Sequence, residues 1–352
     1  MLTHAIIAII FAATLFLAFI EDYMKEMQKM TILAAYAVIF IVMATTKSVE
    51  HTVDAADYES RFLDNDDFVT ELTTEPTFIY LSRLVLMLGG TISTMFFIYA
   101  MIYVPTKLTV LYKLTPHIFT ALLIYIPVYF ELHDMIQIRA SAAAAFLLAS
   151  LLPLSKKRYA IAALLMFCAI LFHYSAVVFL PFLLLGNRKL SNKWRIFIAC
   201  LLPACFAMYF LKRDLFSLIP SSLTEGKLDL YRETSENGEW EELAVPYKNL
   251  YFMTKCVVLY LCLYYYDYIT EQNHFAPMLI NLFTASLCIL LSMATIPVIG
   301  GRISDLYGIV DCVVFTFCLN IVKPQYVAKI AIALVGAYML VYNMLFTDYF
   351  TR

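Results

Sequence analysis

The amino-acid sequence predicts an all-α fold, a polytopic membrane helix bundle of about twelve transmembrane helices with two longer extracytoplasmic loops. Three observations predict it. Of the 352 residues, 62% are hydrophobic and only 15% are charged, whereas a soluble domain carries about 25% charged residues. A hydrocarbon core about 30 Å thick takes roughly 20 apolar residues per helix, and runs of 14 to 29 residues free of Asp, Glu, Lys and Arg recur from end to end. The charged residues gather in the connectors between those runs. No segment is long or polar enough to fold separately, so residues 1–352 are expected to form a single transmembrane domain.

The elements follow from the runs in order. Leu2 to Ile20 has no basic segment before it and no small-x-small cleavage site before Glu21, so it reads as a retained helix and not as a signal peptide. Further spans are expected at 30–46, 84–104, 114–130, 138–154, 159–172, 174–186, 196–211, 250–266, 276–299, 306–322 and 326–346, with Pro76 to Leu88 as a surface or re-entrant helix. Cytoplasmic connectors are enriched in Lys and Arg. That rule places inside the connectors with Lys25 and Lys29, with Lys107 and Lys113, with Lys156, Lys157 and Arg158, and with Arg188, Lys189, Lys193 and Arg195. Residues 47–76 hold nine Asp/Glu, and residues 212–249 hold eight against five Lys/Arg, so both are expected outside, as are both termini.

Crossing parity constrains Tyr159 to Asn187, a 29-residue run between two basic clusters. It must cross an even number of times, as a tight hairpin turning at His173-Tyr174-Ser175. Legs of about 14 residues reach roughly 21 Å at 1.5 Å per residue, short of the hydrocarbon thickness. His173 is therefore expected to be recessed below the outer surface, with Glu131, His133, Asp134 and Arg139 on the same side.

The outer side thus collects Asp57, Glu75, Arg83, Arg139, His173 and Arg302. Guanidinium groups bind phosphate oxygens through paired hydrogen bonds, so recessed single arginines suggest an anionic, phosphate-bearing substrate. The bland alternative pairs each arginine with a neighbouring carboxylate or lets it snorkel to the headgroups. An imidazole suits proton abstraction at neutral pH, which makes His173 a candidate base, with Glu75 and Asp57 as alternatives. Asp64-Asn65-Asp66 matches a metal-binding DxD pattern, but it lies in a stretch so acidic that the match is weak. Asp311 falls inside the eleventh expected span, where a carboxylate either functions or pairs with a neighbouring helix. All eight cysteines lie in apolar stretches without a CxxC pair and read as reduced packing residues. A net charge of −2 gives no reason to expect nucleic acid as a partner.

Five blocks, in order, resemble the EpsG-type branch of the Wzy-like bacterial polysaccharide polymerases. They are Asp57-Tyr58, Glu75-Pro76, Ile138-Arg139 with small residues after it, Phe172-His173-Tyr174-Ser175 with Pro181 behind, and Gly301-Arg302-Ile303-Ser304. The chain departs from the family pattern at Thr77, Ala140 and Tyr174, where Gly, Gln and Lys are frequent. The resemblance implies a multi-pass enzyme of the bacterial cytoplasmic membrane. Such an enzyme moves a growing glycan from polyprenyl diphosphate to the hydroxyl of an incoming lipid-linked repeat unit on the outer face. It implies catalytic roles for His173, Arg139, Arg302, Glu75 and Asp57, and substrate contacts from Tyr58, Tyr174 and Ser175; their outer placement adds Arg83 and Asp134 as expected substrate contacts. No metal and no cofactor is expected. Expected partners are the polyprenyl diphosphate-linked oligosaccharides, the lipid bilayer, and chain-length regulator and flippase proteins of the same pathway. A flippase of lipid-linked oligosaccharide, or a metal-dependent membrane glycosyltransferase, are the competing readings. A flippase calls for polar groups that reach both faces.

Overall fold

The computed structural model describes residues 2–65, 67, 70, 74–211, 249–293, 296–347 and 349–350. Among them every regular element is helical. In chain order these are α1 (Leu2–Ile20), α2 (Glu26–Thr45), α3 (Ala55–Leu63), α4 (Pro76–Met87), α5 (Ile92–Leu114), α6 (Ile118–Tyr125), α7 (Ile138–Ser155), α8 (Tyr159–Phe172), α9 (Phe182–Leu185), α10 (Asn192–Phe210), α11 (Leu250–Tyr264), α12 (Tyr266–Gln272), α13 (Ala276–Ser292), α14 (Pro297–Gly308), α15 (Asp311–Thr316), α16 (Cys318–Ile321) and α17 (Gln325–Phe346). A π-helical turn sequence, Ile126–Ile136, continues α6, and a 3₁₀ segment, Tyr174–Phe179, follows α8. The expected outer loop 212–249 lies outside the described residues except for Asn249.

Among the described residues seven helices are long and apolar enough to cross a bilayer, and an eighth results if α14 to α16, bent by 48°, count as one span. The chain is a multi-pass membrane protein. Four of the twelve expected spans, at 159–172, 174–185, 250–264 and 276–292, are apolar but shorter than a full crossing. Prediction and structure coincide where charges bound an apolar run, as at α1 and α8.

The third span corrects the expectation. Lys107 was expected in a cytoplasmic connector and Asp134 in an outer turn, but α5 runs on through Pro105 to Leu114 and carries Lys107 inside the helix, fully buried. Its ammonium lies 2.6 Å from the carboxylate of Asp134, which the continuing π-helical segment also keeps buried. The physical reason is mutual neutralisation: each charge is costly in hydrocarbon alone, and together they form an internal pair. Ser141 donates to Asp134 at 2.6 Å and accepts from Lys107 at 2.9 Å, while Tyr125 donates to the second carboxylate oxygen. Lys107→Met is expected to destabilise the protein by about 3–5 kcal/mol by leaving a buried carboxylate unpaired. The double change Lys107→Met, Asp134→Leu should recover most of that loss, as read by thermal unfolding in detergent.

The chain divides into two compact units, residues 1–186 with 322–352, and residues 187–321. In the first unit α6 is the centre, with all eight of its residues buried, and it packs against α1 and α17. Gly336 on α17 makes this approach possible, because a Cβ there would stand 2.1 Å from the Leu123 carbonyl oxygen. Ala142 to Ala145 on α7 are fully buried, the small-residue face that lets membrane helices approach closely, here α5 and α8. Contacts also sort the connectors of this unit by end. Lys29 donates to the Pro116 carbonyl at 3.2 Å at one end, whereas Lys47 donates to Met135 at 2.7 Å at the other.

The second unit is built around α13, flanked by α10, α11 and α14. Asp311 is buried there and pairs with Lys255 at 2.8 Å and with the Tyr251 hydroxyl at 2.9 Å. The helix-pairing alternative for this carboxylate is the one realised. Lys255 also donates to Ser286 at 2.9 Å.

Candidate functional site

Glu75 begins the site because of its place in the chain. Pro76 occupies the first helical position of α4, where its missing N–H costs nothing and its fixed φ suits the helix. Glu75 precedes it with extended backbone (φ −65°, ψ 144°), and its carbonyl accepts from the amides of Phe78 and Ile79. Its side chain makes no capping bond and turns inward, 4% exposed. A helix N-terminus favours negative charge.

Each carboxylate oxygen of Glu75 meets a different residue. Oε2 accepts from the Arg139 guanidinium at 2.5 Å, and Oε1 lies 2.7 Å from His173 Nδ1. Arg139 stands in the first turn of α7, and His173 is the extended residue that ends α8 (φ −158°, ψ 116°). Burial opposes ionisation of Glu75, but the hydrogen bond from His173 and the charge of Arg139 outweigh it and hold the carboxyl at about 2. A carboxylate so stabilised is a feeble base. Its contact with Nδ1 orients the imidazole, the geometry by which a carboxylate orients a catalytic histidine in other enzymes.

Arg139 has the carboxylate partner that the bland expectation assigned to it, yet the guanidinium is not saturated. Its Nε is buried with no hydrogen-bond partner among the described residues. The Tyr58 ring lies 5.2 Å and the Phe78 ring 5.8 Å from its central carbon, distances at which cation–π attraction acts. An aromatic wall continues from Tyr58 through Phe78 and Tyr99 to Phe172, with ring centroids 5.6 to 6.2 Å apart. It joins α3, α4, α5 and α8. Burial pushes the Tyr58 hydroxyl up to about 12, so it stays neutral beside the cation.

Sequence reasoning brought Glu75, Arg139, His173 and Tyr58 forward, and the fold brings them together. Each of the other candidates has surroundings of its own. Asp57 is exposed on α3 and pairs with Arg61 at 2.8 Å. Arg83 donates to the Asn65 carbonyl at 3.0 Å and so tethers that loop. Asp134 is consumed in the buried Lys107 network. Tyr174 is 47% exposed beside His173, with Ser175 half-buried after it. Arg302 is exposed on α14 in the second unit, with no ion pair among the described residues. Asp64 accepts from Ser60 at 3.3 Å, while Asp66 lies outside the described residues. Among the described residues one group has metal-ligand spacing, Glu21, Asp22 and His117. There the Lys329 ammonium sits 2.7 Å from Asp22 and 3.6 Å from Glu21, and Glu21 accepts from the Phe119 amide at 2.9 Å.

Thr77 was noted only as a departure from a pattern, and its role was missed. Its hydroxyl donates to the Leu171 carbonyl at 2.7 Å, stapling the start of α4 to the end of α8, two residues from each of Glu75 and His173. The signal available in the sequence was a hydroxyl residue directly after Glu75-Pro76. Thr77→Val is expected to loosen the His173–Glu75 contact and lower turnover about tenfold, the loss of one hydrogen bond of about 1 kcal/mol or slightly more; Thr77→Ser should retain most activity. The family model described as EpsG family matches residues 31–351. No curated protein and no solved structure matches the chain.

Proposed function

The chain belongs to the EpsG family, and from that membership and the triad of Glu75, Arg139 and His173 we propose that it polymerises a bacterial surface polysaccharide. The reaction is a glycosyl transfer on the outer face of the cytoplasmic membrane. The hydroxyl oxygen of the incoming lipid-linked repeat unit bonds to the anomeric carbon of the growing glycan. The bond from that carbon to the polyprenyl diphosphate oxygen breaks, and the diphosphate leaves with the electron pair. One proton must be removed from the attacking hydroxyl, and developing negative charge must be stabilised.

The observation that carries this reading is the pairing of Glu75 with both Arg139 and His173. It sets a base and a cation within reach of one substrate. His173 Nε2 takes the proton, Glu75 orients the ring, and the uncommitted donors of Arg139 bind the diphosphate. Tyr58 and Phe78 keep the guanidinium in place, and the exposed Tyr174 ring offers a face for sugar. For Arg302, on α14, we likewise propose a phosphate-binding role.

The decisive test is incubation of purified protein with synthetic lipid-linked repeat units, followed by separation of the products. A ladder of lengthening glycans is expected. Arg139→Lys keeps the charge but loses the planar fork, and should lower turnover about 10²- to 10³-fold, the range for removal of one transition-state donor. No ladder from the parent protein, or a normal ladder from Arg139→Lys, would refute the assignment.

A further inference from the structure

The second unit carries an open groove of about 800 Å³ between α10 and α11. Ile196, Ala199, Val257 and Leu261 make its apolar walls, and Asn192 and Arg195 stand at one end. Within the unit the Tyr260 hydroxyl donates to the Ala199 carbonyl at 3.1 Å, tying the two helices together alongside it. A volume of this size is typical of sites for elongated small molecules.

Arg195 is the cation that lines this end, and the chain leading into and opening α10 supplies three more. Arg188, Lys189, Lys193 and Arg195 follow within eight residues. Asp267 serves two of them, Lys189 at 3.1 Å and Arg195 at 3.0 Å, and Glu271 is the other carboxylate of α12. Arg188 and Lys193 are exposed and have no ion-pair partner among the described residues. Trp194, 37% exposed, donates from its indole to Asn281 at 3.0 Å and stacks on Phe197. An amphipathic ring in this setting marks the headgroup level of a bilayer. The groove therefore starts among cations at the interface and continues as an apolar slot along two helices.

We infer that this groove holds a phospholipid with a net negative headgroup, its phosphate at Arg188, Lys193 and Arg195 and an acyl chain along Ala199 and Val257. The apolar length beyond the cations distinguishes a lipid from free phosphate. Basic residues next to spanning helices attract anionic lipid at the cytoplasmic leaflet. This site is independent of the triad in the first unit.

Trp194 is a built-in reporter, since the only other tryptophan is Trp240. The full-length Trp240→Phe protein is reconstituted in nanodiscs containing phosphatidylglycerol or phosphatidylcholine with brominated acyl chains, and Trp194 fluorescence is followed. Half-maximal quenching is expected at about a fivefold lower fraction of phosphatidylglycerol, the preference that one or two lysine or arginine contacts supply. Arg188→Gln with Lys193→Gln should erase that preference, and Ala199→Phe should reduce quenching by phosphatidylglycerol without affecting insertion. Equal quenching by the two lipids in the parent, or an undiminished preference in the Arg188→Gln, Lys193→Gln protein, would overturn the inference. Relief of quenching by inorganic phosphate but not by unbrominated phosphatidylglycerol would assign the cations to free phosphate and overturn it equally.

Discussion

Glu75→Gln is expected to abolish polymer formation and to destabilise the first unit at neutral pH. The amide retains size and one acceptor, but it neutralises the group that faces both Arg139 and His173. Removing one partner of a buried ion pair costs about 3–5 kcal/mol, because the other charge is left uncompensated. The imidazole would also lose the oxygen that sets its tautomer and tilt. The pH dependence has a definite sign. The carboxyl of Glu75 is held at about 2 against an ordinary 4.5, so its contribution is complete above about pH 4.5 and is lost as pH falls toward 2. Thermal unfolding of parent and variant in detergent should differ by a constant amount from pH 7 to 5, and the difference should narrow only below that. A difference that vanishes already at pH 6 would show that Glu75 is not the ionised partner.

His173→Ala should lower turnover about 10²- to 10⁴-fold, the usual contribution of a general base, while the protein folds and still binds lipid-linked substrate. The side chain sits at the end of α8 and is partly exposed, so truncation opens no cavity in the core. Binding and turnover separate the two roles of the triad. Loss of His173 should act on kcat with little change in KM, whereas Arg139→Lys should also weaken binding of the diphosphate. His173→Ala at the parent rate would move the proton to another acceptor and leave Arg139 as an anchor alone.

The legibility of this chain in its sequence follows the cost of charge in lipid. Where a charge ends an apolar run, the helix boundary is readable to a residue or two, as at Ile20 before Glu21 and at Tyr159 after Arg158. Lys107 defeated the same logic, because a charged residue can stay within a span when its counterion arrives from a helix 27 residues later. Composition cannot reveal such a pair. The triad was legible as a set of residues through the resemblance of Glu75-Pro76, Ile138-Arg139 and Phe172-His173 to a family. Its geometry was not, since the contacts join positions 64 and 98 residues apart. Asp57 and Asp134 were nominated by the same outer placement, yet Asp57 pairs with Arg61 one turn away and Asp134 with Lys107 27 residues away. Thr77 shows the converse: a residue unlike its family counterparts forms the staple that aligns two of the three.

One carboxylate divided between a permanent cation and a titratable ring sets the charge that the site presents along the reaction coordinate. With the imidazole neutral, Glu75 and Arg139 cancel and the pocket offers no net charge to an approaching sugar hydroxyl. In the proposed reaction the ring would take the proton, and the three groups together would then carry one positive charge as the departing diphosphate gains a negative one. On that reading the protonated ring adds to the attraction that Arg139 already offers the leaving group, and the addition ends when the ring gives its proton up. On the same reading a fixed second cation would hold the spent carrier more tightly, whereas this one would weaken its hold as the ring resets.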